Sequence, residues 1–111
     1  MVLLKMEDVV EGYQLFLEGD INIDAFSGNT VFASTGKGEN RYQISIKDIN
    51  KPFHRFICTC NNCIEEHSFC IHLIALIYLL QQNLPGYMKL FNHPESENIL
   101  TELAEKFLFE V

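Results

Sequence analysis

The sequence predicts an α+β fold, a small antiparallel β-meander packed with a buried helix and flanked by N- and C-terminal helices. Three observations carry that prediction. Apolar residues recur at steps of three and four near both ends, alternate at steps of two in the stretches around residues 21–25 and 42–46, and run almost unbroken from Ile71 to Leu80. A chain of 111 residues fits a single domain over 1–111. Nine Phe, four Tyr and an apolar content of 48% supply a core and exclude a disordered tail.

From Met6 to about Glu18, Val9, Val10, Tyr13, Phe16 and Leu17 follow helical spacing, and Gly19-Asp20 stops the pattern. Ile21, Ile23 and Ala25 then alternate with Asn22 and Asp24. Ser27-Gly28-Asn29 makes a turn, and Thr30 to Ser34 gives a second β-rich run, completing a hairpin. Gly36-Lys37-Gly38-Glu39-Asn40 is a second turn, and its Gly36-x-Gly38 reads as a hairpin feature, not a phosphate cradle. Tyr42, Ile44 and Ile46 share one face of a third strand, and Phe53 to Thr59 can pair back on it, giving a three- or four-stranded sheet.

Ser68 is a suitable N-cap for a helix beginning near Phe69 and ending before Leu84-Pro85-Gly86. It is apolar nearly all round, which predicts burial on several sides. Its apolar run is far shorter than the roughly 20 residues that span a bilayer, so no membrane segment is expected. A last amphipathic helix is predicted over 93–111, where Ile99, Leu100, Leu103, Ala104, Phe107 and Leu108 form a stripe suited to core packing or, as the alternative, to a partner surface.

The formal charge is −7, from eight basic and fifteen acidic residues. A duplex binder presents a basic stripe that displaces counterions from phosphates, and this balance disfavours one. Lys37, Arg41, Lys47, His54, Lys51 and Arg55 do gather in the middle of the chain, where solvated strand charges account for them. The N-terminus lacks the basic start, long apolar run and small-residue cleavage site of a signal peptide, which predicts a cytoplasmic protein.

All four cysteines, Cys58, Cys60, Cys63 and Cys70, fall in one short segment. In a reducing compartment such clustering argues for metal over disulfides. Structural zinc takes four thiolate or imidazole ligands in a tetrahedron. Cys58-x-Cys60 and Cys70-x-His72 supply those types in two pairs, and one structural zinc on Cys58, Cys60, Cys70 and His72 is the predicted site. Residues two apart on a strand share a face, so Cys58 and Cys60 can aim together. Residues two apart on a helix diverge by about 200°, so Cys70 should sit at the mouth of the helix, outside its regular part, with His72 reaching back from the first turn. Cys60, Cys63, Cys70 and His72 form a second, chemically reasonable set. His67 suits an exposed loop, and His54 and His93 are read as surface residues.

The two ligand pairs, the alternating Tyr42-x-Ile44-x-Ile46 strand before them and the apolar helix after them resemble the SWIM zinc finger over residues 20–82. The chain departs from the common pattern at Asn61-Asn62-Cys63. Modules of that family occur in bacterial helicase-like ATPases, plant transposases, a MEK-kinase ubiquitin ligase and the SWIM subunit of the Shu recombination complex. The resemblance implies a zinc-stabilised protein–protein adaptor, with a recombinase paralogue as the partner if the Shu subunit is the guide. Direct nucleic-acid binding by the zinc loop and the basic middle segment is the alternative. No enzyme is expected. Four protein ligands close the zinc shell, and neither Glu65 and Glu66 nor Cys60-x-x-Cys63 stands in the setting that base or redox catalysis needs. No catalytic residue is therefore assigned.

Overall fold

The computed structural model describes residues 6–36, 41–49, 54–60 and 69–83, and the backbone of 107–109. Helix α1 spans Met6–Leu17, and strands β1 (Ile21–Ser27), β2 (Thr30–Thr35), β3 (Tyr42–Lys47) and β4 (His54–Cys58) follow in order. Helix α2 spans Ile71–Asn83, and a short strand β5 covers Phe107–Phe109. The sheet runs β1-β2-β3-β4-β5, and its first four strands are an antiparallel meander, as the alternation predicts. Among the described residues, no helix is long and apolar enough to cross a membrane.

Register determines what faces the core. Ile23, Ala33, Ile44 and Cys58 lie opposite one another across four strands, and Val31, Ile46 and Phe56 make the next row. Apart from the half-buried Ile23, these residues are buried and join the apolar residues of α2 in one cluster. Because side chains on a strand alternate, this parity leaves Phe32, Ser45 and Ile57 on the opposite face. Asp24 is the extra residue of a bulge between Ile23 and Ala25. It accepts a hydrogen bond from Ser34 Oγ at 3.2 Å and lies 3.8 Å from Arg41 Nη2.

Helix α2 is apolar on almost every side because it is enclosed. Leu73, Ile74, Ala75, Leu76, Ile77, Tyr78 and Leu80 are all buried. Helix α1 lies against it with Val9 and Gly12, and Tyr13 meets Tyr78 edge-on with ring centroids 4.9 Å apart. Gly12 marks the closest approach. A Cβ there would stand 2.6 Å from both Cβ and Cγ2 of Ile74, so only glycine lets the two helices come this near.

Three features differ from the sequence reading. At 107–109 the chain is a strand, parallel to β4 with Phe107 opposite His54 and Phe109 opposite Phe56, where the stripe predicted a helix. Phe107 and Phe109 are β-favouring, and the edge of β4 offers backbone groups that a helix would not use; the remainder of the helix predicted over 93–111 lies outside the described residues. His54 is buried, 5% exposed, and not at the surface. Its position two before Phe56 and four before Cys58 gives it their inward parity. Finally, α2 begins at Ile71, and Cys70 takes the capping position assigned to Ser68, which lies outside the described residues.

Candidate metal centre

Cys58 is the last residue of β4 and faces the core opposite Ile44. The ladder continues one residue further, since Thr59 N donates to Gln43 O and Gln43 N donates to Thr59 Oγ1, both at 3.0 Å. That double clamp fixes the backbone between Cys58 and Cys60. Both thiols are therefore buried, at 0% and 6% exposure, on the same side of the sheet end.

Cys70 approaches from the other side. Its carbonyl accepts the first helical bond, from Ile74 N at 3.3 Å, and its Sγ accepts from Leu73 N at 3.4 Å. This is N-cap geometry with sulfur in place of the usual oxygen. The N–H groups of a first helical turn lack intrahelical partners, and they and the positive end of the helix dipole favour a thiolate at that point. His72, in the first turn, then turns its Nδ1 to within 3.7 Å of Cys58 Sγ. Tyr42 backs the imidazole, with ring centroids 4.7 Å apart, and Phe69 stacks on Phe56 at 4.9 Å beneath the strand end.

The ligand atoms of Cys58, Cys60, Cys70 and His72 all lie within 4.8 Å of one another. Bond lengths of about 2.3 Å to sulfur and 2.0–2.1 Å to nitrogen put tetrahedral edges at about 3.6 Å for S···N and about 3.8 Å for S···S. The His72–Cys58 separation already matches an edge, and the widest pair needs to close by about 1 Å. Three thiols and an imidazole are the donor set of a closed structural zinc site, so the residues fit one metal ion in composition and spacing. The structure thus brings together all four residues that sequence spacing selected. Cys63, of the alternative set, and His67 and His93 lie outside the described residues.

The metal-free Cys58 thiol resists ionisation. Cys58 is pushed up to about 12 from a usual 9.0, first by its hydrogen bond with the Cys60 side chain, partly offset by that with Cys70, and then by burial. A divalent cation reverses this logic, since it stabilises several thiolates in one small volume.

Residues that the sequence reading did not attach to the site also border it. Asp8 and Glu11 of α1, with Tyr42 and Ile71, line a cleft of about 270 Å³ that reaches Cys60, Cys70 and His72. Tyr42 was legible in principle, because it shares the inward parity of Ile44, which faces Cys58. Asp8 carried only the signal of an acid in the first turn of a helix, and Glu11, further along, carried none. The basic residues described in the middle segment are neutralised in part, with Arg55 Nε 3.7 Å from Asp48 and Arg41 beside Asp24. No family model matches the chain, and neither does any curated protein or solved structure.

Proposed function

We propose that this chain is a zinc-stabilised, SWIM-type interaction module that serves as a protein–protein adaptor, with one structural zinc on Cys58, Cys60, Cys70 and His72. The buried Cys3His cluster carries the zinc part of the reading. Four protein ligands leave no open coordination position, which favours a structural ion over a catalytic one. Held there, the ion would tie the end of β4 to the start of α2.

The adaptor part is supported by charge and by exposed apolar surface. A net charge of −7 opposes phosphate binding, and a site with three thiolates and one divalent ion adds a further negative unit. On the outward face, Phe32 and Ile57 line a shallow hollow of about 300 Å³ with Ser45 between them, and Phe32 remains 43% exposed. Such a hollow suits an apolar side chain of a partner. The resemblance to SWIM modules directs the choice of first partner to a recombinase paralogue.

The test pairs a DNA titration with a co-purification, both on the zinc-loaded chain. Labelled single- and double-stranded DNA should show no binding at low salt, while a co-expressed recombinase paralogue should co-purify with wild type and be lost with Phe32→Asp. Tight, steeply salt-dependent DNA binding would replace the adaptor reading with the nucleic-acid one. Co-purification that ignores both Phe32→Asp and zinc removal would remove this surface from the account.

A further inference from the structure

We infer that Asp8 and Glu11 form a cation-steering vestibule through which the metal ion reaches its buried ligands. The inference rests on the metal-site reading above and adds a role for α1 that the ligand set does not contain. Cys58, Cys60 and Cys70 are 0%, 6% and 2% exposed, so an incoming ion needs a route. The cleft that exposes Cys60, Cys70 and His72 is bordered on its other side by α1, and its only charged lining residues among those described are the carboxylates of Asp8 and Glu11.

The placement follows from the packing. Asp8 and Glu11 are three apart on α1 and so share a helix face. Gly12 follows Glu11 directly and permits the close approach to Ile74, one turn along from the ligand-bearing start of α2. A bulkier residue at 12 would hold α1 away and open the cleft. Two negative charges beside a low-dielectric wall concentrate cations at the mouth and raise the association rate, and salt screens that effect over about 10 Å. Cys58, at 0% exposure, is not among the residues that line the cleft.

The experiment follows Co2+ uptake by the metal-stripped chain with a rapid-mixing spectrometer, reading the visible bands of tetrahedral sulfur-rich cobalt. Three proteins are compared: wild type, Asp8→Asn/Glu11→Gln, and Glu7→Gln/Glu18→Gln, which removes the same charge from positions that do not line the cleft. The vestibule predicts that Asp8→Asn/Glu11→Gln slows uptake on the order of 3- to 10-fold at low salt, with the gap closing at high salt. Chelator-driven release and the final spectrum should be unchanged, and the control double variant should take up metal at nearly the wild-type rate. Equal rates in all three proteins would overturn the vestibule, as would equal slowing in both variants. A changed spectrum or faster release would overturn it in favour of a ligand or structural role. Absence of tetrahedral bands in wild type would instead sink the metal-site reading itself.

Discussion

Replacing Gly12 with alanine sets two effects of known size against each other. In an exposed helix interior, Gly→Ala stabilises by about 1 kcal/mol, because alanine restricts the unfolded chain and favours helix. Here the new Cβ would stand 2.6 Å from Cβ and Cγ2 of Ile74 and 2.9 Å from the Ile71 carbonyl oxygen. Carbon pairs rest at about 3.5–4.0 Å, so the overlap is about 1 Å. Neither neighbour can yield locally. Ile74 is 1% exposed within the core, and the Ile71 oxygen is main chain. Helix α1 must move instead, and overpacking of this kind costs about 1–3 kcal/mol. Two rigid contacts place it near the upper end, so the net loss is about 2 kcal/mol, or roughly 8 °C of melting temperature for a domain of this size. Thermal melts of metal-loaded wild type and Gly12→Ala, with Gln14→Ala as the control for a substitution on the exposed side of the same helix, measure it. A melting temperature that rises in Gly12→Ala would mean that the helices are not in close contact at this point, and the placement of Asp8 and Glu11 would fall with it.

Two further outcomes follow from the metal centre. His72→Ala should lose metal and most of the stability that it confers, on the order of several kcal/mol out of the roughly 10 that a structural zinc can supply; equal melting of wild type and variant after metal loading would count against the site. Metal affinity should also rise with pH. In the metal-free chain the Cys58 pKa lies at about 12, above the 9.0 of a free thiol, so that group is protonated throughout pH 6–8 and its proton must leave when metal binds. Each proton released adds about one decade of affinity per pH unit, which competition with a calibrated chelator reads directly; a flat profile would mean that the thiols do not ligate.

Much of this fold was legible because local periodicity and local geometry agree. Tyr42, Ile44 and Ile46 announce β3 by alternation alone, and the same rule places Cys58 and Cys60 on one side of the sheet end. The divergence of Cys70 and His72 on a regular helix forces Cys70 out of it, and the structure finds Cys70 as the cap, accepting from Leu73 N. His54 could have been read from its parity with Phe56 and Cys58, but a histidine after Lys51-Pro52-Phe53 carries a surface composition that masked it. The parallel pairing of β5 with β4 joins residues some fifty apart in sequence, and no local pattern encodes a partner at that range. Asp8 and Glu11 were hidden for a related reason. Their role depends on how closely α1 approaches α2, and Gly12, which permits that approach, looks in sequence like any weak helix position.

Metal content per chain distinguishes the Cys58, Cys60, Cys70 and His72 ligand set from the one that contains Cys63. Elemental analysis of purified wild type, Cys58→Ser and Cys63→Ser should find one zinc in wild type, little in Cys58→Ser and one in Cys63→Ser. Zinc retained by Cys58→Ser and lost from Cys63→Ser would contradict the account, moving the site to Cys60, Cys63, Cys70 and His72 and leaving the buried cluster at the end of β4 without its metal.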